Sequence, residues 1–229
     1  MNKQCLWCEQ EIDYDITLKF LLLGTSLESK TLCRNCDEKF QRINTEKACL
    51  NCGRQLNDKK ICLDCEKWQK YHQSNFKNKA LYKYNDEMKE FINRYKFTGD
   101  YRLRRIFQKD FERELSKTDK LVVPIPVSSK TMQDRGFNQV TGLIENIKYW
   151  DVLAVNLNQK TQQSHKNRWQ RIKSDQIFII KSSMRDEIKN KNIIIVDDIY
   201  TTGTTIRKAA KILLDNGAQS VEGLTLCHA

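Results

Sequence analysis

The sequence predicts an α/β fold, with helices on both faces of a parallel sheet, preceded by a small N-terminal module that is built on paired cysteines. Three observations lead to this prediction. Eight of the nine cysteines form four Cys-x-x-Cys pairs near the N-terminus. Beyond residue 76, strand-like apolar runs alternate with helical patterns, which is typical of strands joined by crossover helices. The run at 193–196 contains only Ile and Val, as expected of a parallel strand that is covered on both faces.

The cysteine pairs predict two structural metal sites. Two Cys-x-x-Cys pairs supply the four thiolates of a tetrahedral zinc site and leave no open position for catalysis. Pairing of neighbours closes the shorter loops, so we expect each site to use two consecutive pairs. A cross-braced pairing, a disulfide framework and iron–sulfur ligation stay open as alternatives. The predicted ligands are Cys5, Cys8, Cys33 and Cys36 for one zinc ion and Cys49, Cys52, Cys62 and Cys65 for the other.

We assign residues 1–70 to this double zinc ribbon and residues 76–229 to the α/β domain, and the charge differs between the two parts. Residues 76–229 carry 28 Lys and Arg against 18 Asp and Glu, which accounts for nearly all of the net charge of +11. A basic domain indicates an anionic partner such as a nucleic acid. Aromatic residues are interleaved with the basic ones between 77 and 113, a pattern that we attribute to solvated helix faces above an aromatic core.

The α/β domain divides into alternating elements. The predicted strands are 79–84, 120–125, 151–155, 176–181, 192–197 and 219–226, and the predicted helices lie near 86–97, 100–116, 136–149 and 203–216. A basic loop at 160–173 contains no acidic residue. The only two prolines, Pro124 and Pro126, fall at the end of the second strand. They predict a rigid exit at the carboxyl edge of the sheet, where open α/β sheets bind ligands.

The segment 193–205 predicts a site for a phosphorylated sugar. Two adjacent carboxylates end the apolar strand, and carboxylates beside a phosphate suit ribose hydroxyls or a Mg²⁺ ion. The small hydroxyl residues and the glycine that follow let backbone N–H groups at a helix N-terminus close around a phosphate. An ordinary strand–turn–helix with capping acids is the alternative. The predicted ligand-binding residues are Asp197, Asp198, Thr201, Thr202, Gly203, Thr204 and Thr205.

This segment resembles the binding motif for phosphoribosyl pyrophosphate (PRPP) of type I phosphoribosyltransferases, in which an apolar run, two acids and an apolar pair precede Thr-Thr-Gly-x-Thr. The resemblance implies the fold of that family, with PRPP bound together with Mg²⁺. It implies a pyrophosphate loop after the proline turn, formed by Ser128, Ser129, Lys130 and Arg135. It also implies a flexible loop for pyrophosphate or DNA contacts, assigned to Gln162, Lys166, Arg168 and Arg171.

Over nearly its whole length, the sequence resembles the ComFC/GntX family of late-competence proteins, in the branch with a double zinc ribbon. The resemblance is carried by the paired cysteines, Lys96-Phe97-Thr98-Gly99-Asp100, Val123-Pro124-Ile125-Pro126, Arg135-Gly136-Phe137-Asn138-Gln139 and the Asp-Asp loop. It implies a role in natural transformation, namely the handling of single-stranded DNA after uptake. An ATP-driven DNA translocase of the competence machinery is the partner that it implies.

Two functions stay open from the sequence. One is a DNA-handling competence factor that binds PRPP, and the other is an active phosphoribosyltransferase that uses an unidentified base or nucleotide. Some type I enzymes carry an acid at the loop position that Thr201 occupies here, so no general base is visible on the loop and no catalytic residue is assigned. The sequence has neither an apolar stretch that could cross a bilayer nor a cleavable leader pattern. We therefore expect a cytoplasmic protein without membrane insertion.

Overall fold

A four-stranded parallel sheet organises the fold. The computed structural model describes residues 4–13, 30–57, 60–70, 76–156 and 177–229. The strands are β1 (Asn78–Lys83), β2 (Leu121–Pro124), β3 (Leu153–Val155), β4 (Phe178–Ile180), β5 (Asn192–Tyr200) and β6 (Ser220–His228). The parallel sheet has the order β1-β6-β5-β2, so that β5 and β6 are its central strands. The parallel sheet with its helices confirms the predicted fold class.

Seven α-helices surround the sheet in the described part of the chain. They are α1 (Arg34–Lys39), α2 (Leu63–Lys70), α3 (Asp86–Asn93), α4 (Gln108–Leu115), α5 (Ser129–Arg135), α6 (Gln139–Leu143) and α7 (Thr204–Asp215). Side-chain caps fix where three of them begin, because Asn85, Ser128 and Asn138 each accept a hydrogen bond from a backbone N–H of the first turn. Within the described ranges, no helix is long and apolar enough to cross a membrane.

The predicted strands 151–155 and 176–181 do not join the parallel sheet. Their structural counterparts β3 and β4 pair with each other in antiparallel register, with Leu153 opposite Ile180 and Val155 opposite Phe178. The prediction was wrong because a parallel pair requires a crossover connection, usually a helix, and the sequence offers only a basic loop between these two strands. The pair instead flanks the segment 157–176, which lies outside the described residues.

The predicted helix 136–149 is also wrong in its bounds. Gly136 adopts a left-handed conformation with φ of 82° and ends α5, which the sequence analysis did not predict as a helix. Asn138 then caps the short helix α6, and its side chain accepts a hydrogen bond from the N–H of Val140 at 2.8 Å. A helix therefore ends at Gly136, where the predicted one was to begin, and within the predicted range 136–149 only α6 is an α-helix.

Two hydrophobic cores cover the two faces of the sheet, and each includes cysteines of one of the two sets. Successive side chains of a strand point to opposite faces of the sheet, so in β2 Val122 belongs to one core and Val123 to the other. Helices α3, α4 and α6 pack on the first face together with Cys5 and Cys36. Helix α7 packs on the second face together with Cys49, Cys52, Cys62 and Cys65. The boundary between residues 70 and 76 stays a prediction, although both cysteine sets share apolar cores with the sheet.

Candidate functional site

The two acids predicted to bind ligand lie near the carboxyl end of the central strand β5. Asp197 is 8% exposed and Asp198 is 4% exposed. The backbone N–H of Asp198 donates to Asp197 Oδ1 at 2.9 Å. Lys96 Nζ lies 2.5 Å from Asp198 Oδ2, and the Lys96 side chain is itself mostly buried. The site therefore combines two buried carboxyl groups with one ammonium group.

Burial makes the two acids unequal. Desolvation, followed by the charge of the neighbouring Asp198, raises the pKa of Asp197 from 3.8 to about 8. Asp198, in contrast, has an ion pair with Lys96. The raised pKa favours the protonated form of Asp197 in the ligand-free protein, and a bound cation would favour the ionised form.

Lys96 is a candidate site residue that the sequence analysis quoted in a motif but did not assign to the site. It lies in the π-helical turn Arg94–Thr98 that continues α3 and ends at Gly99, whose φ is 77°. Short π-helical turns occur often at functional sites. The sequence signal was the combination Lys96-Phe97-Thr98-Gly99-Asp100, yet sequence spacing alone could not show that its lysine reaches β5.

The loop after β5 forms the opening turn of α7. Gly203, with φ of 77°, is the N-cap of this helix. A Cβ atom at Gly203 would lie 2.1 Å from the Tyr200 hydroxyl oxygen, so both the conformation and the contact require glycine. The hydroxyl oxygens of Thr202 and Thr204 lie 2.9 Å apart, and Thr201, Thr202 and Thr205 are exposed. The loop thus presents hydroxyl groups at the N-terminus of a twelve-residue helix.

The exit of β2 lies beside the acids, as the proline turn predicted. Pro124 is opposite Val196 in the sheet, and the N–H of Ile125 donates to the carbonyl of Val196 at 2.9 Å. Beyond this exit, Ser128 is the N-cap of α5. The Ser128 side chain accepts a hydrogen bond from the N–H of Thr131 at 3.0 Å. The proposed pyrophosphate loop is therefore short and passes directly into a helix.

The other predicted pyrophosphate residues lie on α5. Ser129 and Lys130 are exposed in its first turn. Arg135 ends the helix, donates a hydrogen bond to the Gln139 side chain and lies 5.9 Å from the centre of the Phe97 ring. Phe97 follows Lys96 directly and is 75% exposed. Arg135 is therefore close to the turn that carries Lys96. The flexible-loop residues Gln162, Lys166, Arg168 and Arg171 lie outside the described residues.

The cysteine sets have the geometry of two tetrahedral metal sites. In each set, the four sulfur atoms lie within 4.8 Å of one another. The Cys8 and Cys33 sulfurs are 3.8 Å apart, and those of Cys52 and Cys62 are 3.6 Å apart. A tetrahedron with Zn–S bonds of about 2.3 Å places its sulfurs about 3.8 Å apart. The sets combine consecutive pairs, as predicted, and fit two zinc ribbons: Cys5, Cys8, Cys33 and Cys36 form one, and Cys49, Cys52, Cys62 and Cys65 form the other.

Comparison with known proteins decides the family. The chain is 38% identical to competence protein ComFC of Streptococcus pneumoniae, over 97% of this chain and 99% of that protein. It is 36% identical to competence protein ComFC of Bacillus subtilis, over 98% and 95% of the two chains. The chain belongs to the ComFC family. This confirms the whole-length resemblance on which the sequence analysis relied.

Other similarities cover about half of this ComFC-family chain. Residues 102–229 match the family model described as "Phosphoribosyl transferase domain". The match includes β2, β5, β6 and the loop that begins α7. The DNA utilization protein YhgH of Escherichia coli is 31% identical over 47% of this chain and 48% of that protein. Among solved structures, the allosteric regulatory enzyme of purine biosynthesis overlaps with 53% of this chain at 20% identity and a TM-score of 0.37.

Proposed function

We propose that this chain binds PRPP together with Mg²⁺ at the carboxyl end of β5. The observation that carries the proposal is the placement of Asp197 and Asp198 on β5, two residues before a Thr-Thr-Gly-Thr-Thr loop that opens α7, in a chain with a phosphoribosyl transferase domain. The loop N–H groups and the helix dipole suit the 5′-phosphate. The carboxyl groups suit the ribose hydroxyls and Mg²⁺, which prefers oxygen ligands. The residues at the β2 exit, Ser128, Ser129, Lys130 and Arg135, would bind the pyrophosphate group.

We further propose that the protein binds single-stranded DNA and assists DNA uptake or processing during natural transformation. The family relatives named for competence and the similarity to a DNA utilization protein support this role. The basic excess of residues 76–229 suits a polyanion. Phe97 supports binding of unpaired bases in particular, because a ring that is 75% exposed beside a guanidinium group offers a stacking surface. A competence translocase as partner stays a prediction.

Calorimetric titration tests both parts of this proposal. The zinc-loaded protein is titrated with PRPP and Mg²⁺, alone and with a single-stranded oligonucleotide present, at two salt concentrations. PRPP binding that Asp197→Asn or Asp198→Asn weakens, with both zinc ions retained, would support the ligand site. DNA binding that declines with salt and that Phe97→Ala weakens would support the DNA role. Leu214→Ala is the control, since Leu214 is also an exposed apolar residue but lies in the last turn of α7, away from the loop at the start of that helix. Absence of DNA binding at low salt would refute the proposal that the protein binds single-stranded DNA.

The alternative is an active phosphoribosyltransferase. The match to a phosphoribosyl transferase domain and the intact loop favour it, whereas Thr201 supplies no general base. Transfer would then require a nucleophile that is already acidic. Release of pyrophosphate from PRPP that depends on an added base or nucleotide would establish this activity. No release across a broad panel of nucleophiles, from protein that binds PRPP, would exclude those acceptors and favour the binding role.

We assign zinc to both cysteine sets as a structural ion. Four thiolates per site form a complete coordination shell, and segments this short fold with the help of the metal. In the second set, the N–H of Cys62 donates to the Cys49 sulfur at 3.3 Å, a contact that stabilises a thiolate ligand. Measurement of two zinc ions per chain, with an absorption spectrum that lacks iron–sulfur bands, would support the assignment.

A further inference from the structure

The second zinc site lies next to the loop to which we assign phosphate binding, and one side chain joins them. Helix α2 begins directly after Cys62 and contains Cys65, so the metal ligands fix the start of this helix. Trp68 lies one helical turn after Cys65. Its indole Nε1 donates to the backbone carbonyl of Thr202 at 2.9 Å, across 134 residues of sequence. A residue of the zinc ribbon therefore holds the backbone of the loop.

A buried arginine of α7 contacts both Trp68 and the residue that precedes the loop, Tyr200. Arg207 of α7 is 2% exposed, and its guanidinium carbon lies 4.9 Å from the centre of the Trp68 ring. Its Nε donates to the Tyr200 hydroxyl at 3.1 Å. Tyr200 in turn occupies the space beside Gly203. Both ends of the loop are thus fixed by packed side chains, and Trp68 fixes its middle.

The Trp68 contact determines which way one peptide group of the loop faces. In a trans peptide, the carbonyl of one residue and the N–H of the next point to opposite sides. Because the Thr202 carbonyl points to Trp68, the N–H of Gly203 points away from the zinc ribbon. If the Thr202–Gly203 peptide rotated, it would turn a carbonyl oxygen toward the side from which an anion approaches. Such a carbonyl would repel a phosphate that the N–H would bind.

We infer that Trp68 is a positioning residue through which the second zinc site sets the conformation of the phosphate loop. The inference rests on the proposed function, because it assumes that this loop binds the phosphate of PRPP. It predicts a coupling between zinc and PRPP that only the set Cys49, Cys52, Cys62 and Cys65 shows. Loss of the Trp68 hydrogen bond should weaken PRPP binding about three- to tenfold, the effect expected of one hydrogen bond.

A matched control exists in the first zinc ribbon. Trp7 lies between Cys5 and Cys8, donates its indole N–H to Glu87, and has the Arg94 guanidinium carbon 4.5 Å from its ring. Like Trp68, Trp7 therefore has an indole N–H hydrogen bond and an arginine guanidinium group near its ring, but it belongs to the first core. Phe at either position retains an aromatic ring and removes the N–H donor. We expect Trp68→Phe to weaken PRPP binding and Trp7→Phe to leave it unchanged.

The affinity experiment is calorimetric titration of zinc-loaded wild type, Trp68→Phe, Trp7→Phe and Asp197→Asn with PRPP and Mg²⁺. Zinc content and thermal midpoint are measured for each variant, so that a general loss of folding is recognised. Equal affinities for Trp68→Phe and Trp7→Phe, in a protein whose binding Asp197→Asn weakens, would overturn the inference alone. Absence of PRPP binding by the wild type would instead overturn the proposed function on which it rests.

A second measurement uses zinc release, because coupling between two sites is reciprocal. A chromogenic chelator is added to the wild type with and without PRPP and Mg²⁺, and the release of the two ions is followed in time. Bound PRPP should slow the release of one ion about three- to tenfold and leave the other unchanged, and Trp68→Phe should abolish this protection. Protection of both ions alike, or of neither, would contradict the inference even if the variants fold poorly.

Discussion

Asp197 reduces the stability of the ligand-free protein, and we expect Asp197→Asn to increase it. Burial raises the pKa of this carboxyl from 3.8 to about 8. At pH 7 the unfolded chain therefore ionises Asp197, while the folded protein must hold it mostly protonated. A difference of about three pH units between 3.8 and 7 corresponds to about 4 kcal/mol at about 1.4 kcal/mol per unit. The amide oxygen of Asn can still accept the N–H of Asp198.

The sign of the pH dependence follows from which state holds the proton. Between pH 4 and pH 8 the folded protein binds more protons at Asp197 than the unfolded chain does, so the contribution of this group to stability falls as the pH rises. Asn has no such dependence. The gain from Asp197→Asn should therefore grow with pH, from about 2 kcal/mol at pH 5 to about 4 kcal/mol at pH 7.

Urea unfolding of the zinc-saturated protein at pH 5, 6 and 7 measures this gain. Asp215→Asn is the control, since Asp215 is an exposed acid that pairs with Lys211 at 2.8 Å. It should change the free energy of unfolding by less than about 0.5 kcal/mol. The reasoning is refuted if Asp197→Asn is no more stable than the wild type at pH 7, or if its gain is the same at pH 5 and pH 7. The same variant should bind PRPP more weakly, which would show that the ligand site costs stability.

Three further perturbations have expected outcomes. Asp198→Asn should lower the free energy of unfolding by about 1–3 kcal/mol, because it leaves the Lys96 ammonium group buried without its partner. In urea unfolding, this change should have the opposite sign to that of Asp197→Asn. Gly203→Ala should destabilise the protein by about 1–3 kcal/mol, because the alanine would adopt a φ of 77° and its methyl group would clash with Tyr200. A thermal midpoint equal to that of the wild type would contradict this. Removal of zinc by a chelator should abolish cooperative unfolding in calorimetry, because both cores contain cysteines that bind the metal. A retained transition with unchanged enthalpy would contradict this.

The sequence predicted those features that depend on local chemistry. The Cys-x-x-Cys spacing predicted both metal-binding sets, and the apolar run before Asp197 predicted the central strand, because each pattern is contained in a short segment. The start of the predicted helix at 136 was wrong because Gly136 and Asn138 were not recognised as end and cap signals. The antiparallel pairing of β3 with β4 was not predicted, although the predicted elements place only a basic loop between these two strands.

The contacts between distant segments could not be predicted from sequence. Lys96 reaches Asp198 across about one hundred residues, and Trp68 reaches Thr202 across 134 residues. The motif that contains Lys96 and the position of Trp68 after Cys65 do not indicate which distant segment either side chain contacts. The interpretation of the aromatic residues between 77 and 113 as core is confirmed for most of the set, such as Tyr95, but Phe97 is an exposed exception.

The alternation of β5 explains why the candidate site receives residues from both cores. Ile194 and Val196 pack on the first face of the sheet, and Asp198 continues that face toward Lys96. Ile193 and Ile195 pack on the second face, where α7 and the ribbon that contains Trp68 lie. The strand β5 thus places the Asp198 carboxyl group on the side of the first core. The phosphate loop that follows β5 leads into α7, which packs on the second core. The phosphate loop thus receives its ribbon contact from Trp68 on the second face, whereas Trp7 contacts Glu87 on the first, which is why Trp68→Phe and not Trp7→Phe should weaken PRPP binding.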